Sequence, residues 1–278
     1  MLRPSLTMGS VPMGSLATLL SVLLVIEQPP AAPADSAQDA AEVAEEPAGG
    51  AGVSPVELIP RVELRQSYLQ LEGGTSVRDT TTEIDIQFMR RILLRYEAPY
   101  RIIGSPGGQV SGVGDIQLTG LGILTSSSRA LAGILAGAVL DTASQPQLGA
   151  GKQQLFFGAG AAFKPRRWLL GYAVVQEQFS VAGQSARPNV NQLDTRIGGI
   201  LFGKQYNWLK VDLDTVVDFP NDAGRLYGTL ELGSLVIGRV GLFIRTGTQI
   251  LGTRQLDYSL AVGVRYLFRL ETSRPAPH

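Results

Sequence analysis

The segment Leu256–Phe268, LDYSLAVGVRYLF, decides the fold. Leu256, Tyr258, Leu260, Val262, Val264, Tyr266 and Phe268 are apolar. Asp257, Ser259, Ala261, Gly263, Arg265 and Leu267 fall between them. In a chain that is 44% hydrophobic, seven successive alternate positions are all apolar by chance in about 0.3% of cases, so the period of two is a signal. It describes a β-strand with one greasy face and one more polar face. The segment is also longer than a globular strand, whose usual length is about 5–6 residues. It suits a tilted strand crossing a bilayer, which needs about 9–11 residues.

The same pattern repeats upstream. Leu209, Val211, Leu213, Thr215, Val217 and Phe219 share one face, and Lys210, Asp212, Asp214 and Asp218 share the other. Ile84, Ile86 and Phe88 alternate with Glu83, Asp85 and Gln87. Twelve such segments are predicted: 62–71, 80–89, 91–102, 113–124, 130–141, 152–163, 167–180, 193–205, 208–219, 225–237, 239–251 and 256–269. The connections largely alternate between long and short. EGGTSVRDT, IGSPGGQVSG, TASQPQLGAG and AGQSARPNVNQ are long; the turns near Arg90, KPRR, Tyr206-Asn207 and Gly238-Arg239 are short. Tight turns on one side and long loops on the other mark a membrane barrel. Open strand edges are intolerable in lipid, so the sheet must close. The expected fold is all-β, an antiparallel transmembrane β-barrel of about 12 strands, with both ends of the barrel chain on the short-turn side.

Parity then sorts the side chains. Arg65, Glu83, Asp85, Arg95, Glu97, Arg101, Asp115, Asp194, Arg196, Lys210, Asp212, Asp214, Asp218, Glu231, Arg245, Asp257 and Arg265 are expected to line the lumen. Phe88, Phe163, Trp168, Tyr206, Trp208, Tyr266 and Phe268 cluster near the short-turn end, where an aromatic girdle meets the headgroups. Two readings of the polar face stay open. Bases dominate 239–251, 256–269 and 62–71, and acids dominate 208–219 and the start of 80–89, so a transverse field could orient solutes in a narrow pore. Alternatively, the charges form an ion-pair network that fills the barrel, since barrels of about eight strands are filled and those of 16–18 leave a wide channel.

Composition bounds the chemistry. Among 278 residues, 24 Lys+Arg balance 24 Asp+Glu, so no strong field draws the chain to nucleic acid. Seven of the acids precede residue 60, against the single base Arg3, which leaves 17 acids and 23 bases in the part expected to fold. There is no cysteine, and the single histidine, His278, sits at the end of the sequence. Thiol nucleophiles, His-dependent triads and lipid-modifying barrel enzymes therefore lose their essential group. No catalytic residue, cofactor or metal is expected. Asp212, Asp214 and Asp218 could hold a hard cation through oxygen, but they suit a lumen face better. GSPGGQVSGVG (104–114) lacks the GxxxxGK[ST] frame and precedes a strand, so it is no phosphate loop. The basic turns Arg90-Arg91 and Lys164–Arg167 have no stacking platform beside them and suit anionic headgroups.

The N-terminus reads as a targeting segment. Arg3, the apolar run Leu16–Ile26 and Ala32-Pro33-Ala34 follow the order of a signal peptide spanning 1–34. Residues 35–58 are rich in Ala, Glu and Pro and read as a disordered acidic linker. The barrel occupies 59–269, and 270–278 form a C-terminal tail.

Two resemblances add to this. Leu260, Val262, Val264, Tyr266 and Phe268 resemble the C-terminal signal by which outer-membrane barrels are recognised for assembly, although RLETSRPAPH follows. Ala98-Pro99-Tyr100, the Gly/Ser-rich loop after it and Gly112–Leu118 (GVGDIQL) resemble the phenol-degradation meta-pathway family of outer-membrane proteins, which are transporter-like barrels. The likeness is sharpest over 98–118 and extends loosely across 60–268. It implies a bacterial outer-membrane channel or transporter for small solutes, aromatic ones included. The expected partners are the lipid bilayer, a small-molecule solute and the outer-membrane assembly machinery. The alternative is an occluded structural or anchoring barrel that works through its loops or linker.

Overall fold

The computed structural model describes residues 58–203 and 207–268. The predicted signal peptide, nearly all of the linker and the tail lie outside these residues, as does Tyr206.

Thirteen strands follow one another: β1 (Arg61–Leu71), β2 (Ser76–Met89), β3 (Ile92–Ser105), β4 (Gly108–Val113), β5 (Ile116–Ser126), β6 (Ala130–Leu140), β7 (Lys152–Arg166), β8 (Leu169–Gly183), β9 (Asn191–Phe202), β10 (Asn207–Asp218), β11 (Ala223–Ile237), β12 (Val240–Leu251) and β13 (Leu256–Leu267). All pairings are antiparallel. The sheet runs from β2 through β1 and β13 back to β5, β3 and β4, and β2 also pairs with β3, which closes the ring. The upper part of β3 pairs with β4 and its lower part with β5. Thus β4 and β5 make one stave, interrupted at Gly114-Asp115, and the molecule is a closed 12-stave transmembrane β-barrel.

Staves other than the divided one are 11 to 15 residues long, as bilayer crossing requires. Their outward faces carry the greasy set: Leu64, Leu94, Leu118, Ile197, Val211, Leu213, Leu242, Leu260 and Val262 are all exposed on the outer wall. A soluble protein would bury these in a core; lipid plays that part here. The short connections 90–91, 127–129, 167–168 and 238–239 share one end with the start of β1 and the end of β13.

Two expected long loops differ. Residues 72–80 shrink to a tight connection, because β2 starts at Ser76 and only Glu72–Thr75 intervene. The Gly/Ser-rich stretch after Tyr100 is a hairpin: β3 and β4 pair as far as Ser105 and Gly108. The long loop 141–151 is present, and it is anchored. Asp115 accepts hydrogen bonds from the amides of Ala143 (3.2 Å) and Ala150 (2.7 Å), and the amide of Ser144 donates to the carbonyl of Val113 (2.9 Å).

Phe88, Phe163, Trp168, Tyr266 and Phe268 stand exposed on the outer wall near the short-turn end. Trp208 corrects the expected set, because it faces inward at 2% exposure. The parity that turns Lys210 and Asp212 inward also turns Trp208 inward, whatever its height in the barrel.

Candidate functional site

The lumen is built by the inward half of each alternating strand. Its short-turn half is filled. On the side of β1 to β3, Arg61 pairs with Glu83 and, at 3.2 Å, with Asp85; Arg95 meets Asp85 through Nε at 2.7 Å and Nη2 at 2.9 Å. Across the closing seam, Arg265 donates to Glu63 at 2.8 and 3.0 Å, and Arg65 meets the other oxygen of Glu63 at 3.0 Å. Glu231 accepts from Arg245 Nε at 2.8 Å and from the indole of Trp208 at 2.9 Å. Lys210 lies 3.2 Å from Asp212, which also accepts from Tyr172. These pairs bring together most of the expected lumen residues and interleave the two signs. The transverse field is therefore not formed in this half, where each charge is neutralised by a neighbour.

Beside this network sits an apolar cluster of Ala162, Leu170, Tyr172, Ile200, Trp208 and Phe243, flanked by Phe202 and Leu235. Arg265 stacks over Phe243 (4.7 Å to the ring centre) and Trp208 (5.4 Å), joining cluster and network by cation–π contact. The aromatic rings fit because glycines face them across the ladder. Trp208 opposes Gly233, Tyr172 opposes Gly198, Phe243 opposes Gly263 and Phe156 opposes Gly137. A Cβ placed on any of these glycines would run into the opposing ring.

Above this plug the lumen opens. One cavity of about 480 Å³ is bounded by charged groups on one arc, Arg65, Arg95, Glu97, Lys210 and Arg245 among them. The facing arc from β5 to β8 is neutral and includes Thr119, Leu121, Leu135, Phe156, Val174 and Gln176. A second cavity of about 290 Å³ follows, against β9 to β13. The two share Asp194, Arg196, Asp214 and Thr229. The free lumen is thus eccentric, with ion pairs drawn to one wall and small or neutral residues on the other.

Four expected lumen residues lie towards the long-loop rim. Arg101 is forked on Asp79 at 2.9 Å and reaches the carbonyl of Leu148 at 3.2 Å. Asp115 is committed to loop 141–151. Asp218 accepts from Asn221 (2.9 Å), and Asp257 meets Arg254 (2.9 Å). Asp212, Asp214 and Asp218 each have a basic neighbour, in Lys210, Arg196 and Arg225, so they offer no shared cation site. No group of metal-ligating residues occurs among the described residues.

The sequence reading passed over Arg61, Glu63 and Asp79. Glu63 shares the parity of Arg65 and was legible. Arg61 and Asp79 lie one residue outside the predicted segment starts. The inward aromatics carried a different signal, a glycine directly opposite, which shows only once the register is known.

Solved structures with a similar fold include an outer-membrane channel and porins. The COG4313 outer membrane channel from Pseudomonas putida F1 superposes with a TM-score of 0.62 at 13% identity, covering 78% of this chain and 100% of that one. The NanC porin gives 0.56 at 7% identity, over 75% and 100%. The KdgM porin in complex with disordered oligogalacturonate gives 0.52 at 9% identity, over 75% and 99%. No protein-family model and no curated protein matches the sequence. At these identities the likeness establishes the barrel architecture. It does not by itself show membership of the phenol-degradation family.

Proposed function

We propose that the chain is a bacterial outer-membrane channel that passes small solutes along the eccentric free side of its lumen. The observation that carries this reading is the pair of cavities, about 480 and 290 Å³, joined at Asp194, Arg196, Asp214 and Thr229. The larger is of the size that holds a small organic molecule. The channel character of its structural neighbours supports the same reading, as does a leader sequence suited to export. The lumen offers positioned charges and a neutral wall without a histidine or cysteine, so the reading includes no catalytic step and no cofactor. Aromatic solutes fit the neutral arc, where Phe156 and Val174 face the cavity. Insertion calls on the outer-membrane assembly machinery.

Purified protein in a planar bilayer should give discrete conductance steps, and liposomes carrying it should swell faster in phenylalanine, a zwitterion with no net charge, than in a disaccharide of larger cross-section. A silent bilayer overturns the channel. That outcome supports the second reading, an occluded anchoring barrel, which the plug of buried ion pairs and aromatics at the short-turn end favours.

A further inference from the structure

We propose that Asp194, at the junction of the two lumen cavities, is the ion-selecting residue of this channel and makes it favour cationic solutes over anionic ones. The proposal rests on the channel reading and adds the charge preference of the same lumen. Asp194 and Arg196 sit two residues apart on the inward face of β9, one strand repeat of about 7 Å, and both border both cavities. A solute moving between the cavities passes them.

The charges at this height do not cancel. Arg196 is held by Asp214, its register partner on β10. Arg225, the next base towards the rim, is held by Asp218 at 3.4 Å. Asp194 forms no ion pair within 4 Å among the described residues: Gln192 hydrogen-bonds it and Arg196 and Arg225 act on it at longer range, while its buried Oδ1 accepts no hydrogen bond there. Lower in the lumen Glu63, Glu83, Asp85, Glu231 and Asp212 all have basic partners. A carboxylate without an ion pair where the two cavities meet biases the local potential towards negative, as charged rings do in ion-selective pores.

The test is the reversal potential of the full-length protein in a planar bilayer under a potassium chloride gradient at pH 8. The wild type should conduct with a preference for potassium. Asp194→Asn should lower the cation-to-anion permeability ratio about threefold, the scale of one partly screened charge at contact range. Arg196→Gln, which releases Asp214, should raise the ratio. Asp194→Glu keeps the charge and should keep the ratio, which separates loss of charge from misfolding. Asp257→Asn, at the rim, should leave it unchanged. A conducting wild type that prefers chloride, or an Asp194→Asn channel with the wild-type ratio, overturns this proposal alone. A silent wild type overturns the channel reading and the proposal with it.

Discussion

At the scale of single residues, glycines decide how the barrel is filled. Each of Gly233, Gly198, Gly263 and Gly137 lies directly across the ladder from an inward aromatic ring. The pairing puts a bulky side chain where the neighbouring strand has none, a device that both covers the bare backbone and lets the sheet bend. Gly233 is the sharpest case, since a Cβ there would meet the Trp208 indole and, at 2.8 Å, the carbonyl of Leu242. Gly233→Ala should therefore destabilise the barrel by about 1–3 kcal/mol, the usual cost of overpacking. Thermal unfolding in detergent, followed by far-UV circular dichroism, measures it. Gly224→Ala, with open space around it, is the neutral control. Trp208 also shows where sequence reading fell short. Its height near the short-turn end pointed to the girdle, but its parity with Lys210 pointed inward, and parity prevailed because the pleat allows no exception within a regular ladder.

At the scale of elements, the staves were legible because lipid and lumen impose opposite solvents on adjacent residues. β13 and β10 follow the predicted segments within one or two residues. The Gly/Ala-rich β6 and β7 also form, although small residues weaken the alternation that marks them. What sequence could not show was the division of one stave into β4 and β5. Pro99 has no amide to donate, and its carbonyl accepts from the amide of Gly114 (2.9 Å) at the break. The freed Asp115 then holds loop 141–151 by two amides. This gives a local prediction. Asp115→Ala removes both acceptors and should expose the loop to protease, with new cleavage within 141–151 while the remaining barrel stays intact on gels. Cleavage kinetics equal to wild type would show that the loop is held by its other contacts, through Ser144 and Leu148.

At the scale of the whole molecule, the barrel is held closed at the seam between β1 and β13, eleven register pairs from Arg61–Leu267 to Leu71–Leu256. Arg265 joins the seam to β11, since it bonds Glu63 at 2.8 Å and lies 3.7 Å from Glu231. An ion pair of this kind contributes little net stability by forming, but removing one partner leaves buried charge uncompensated and costs about 3–5 kcal/mol. Arg265→Met should lower the temperature at which the folded, fast-migrating gel band converts to the unfolded one, and replacing Glu63 by Gln in the same chain should recover part of the loss. An unchanged transition would mean that water reaches these carboxylates. The seam also joins the earliest described strand to the latest, with Arg265 and Glu63 separated by 202 positions in sequence. A chain halted anywhere before residue 256 would have no stave to meet β1 and would keep its strand edges bare. Closure thus works as a check on length: only a polypeptide translated through its last strand can become a finished ring.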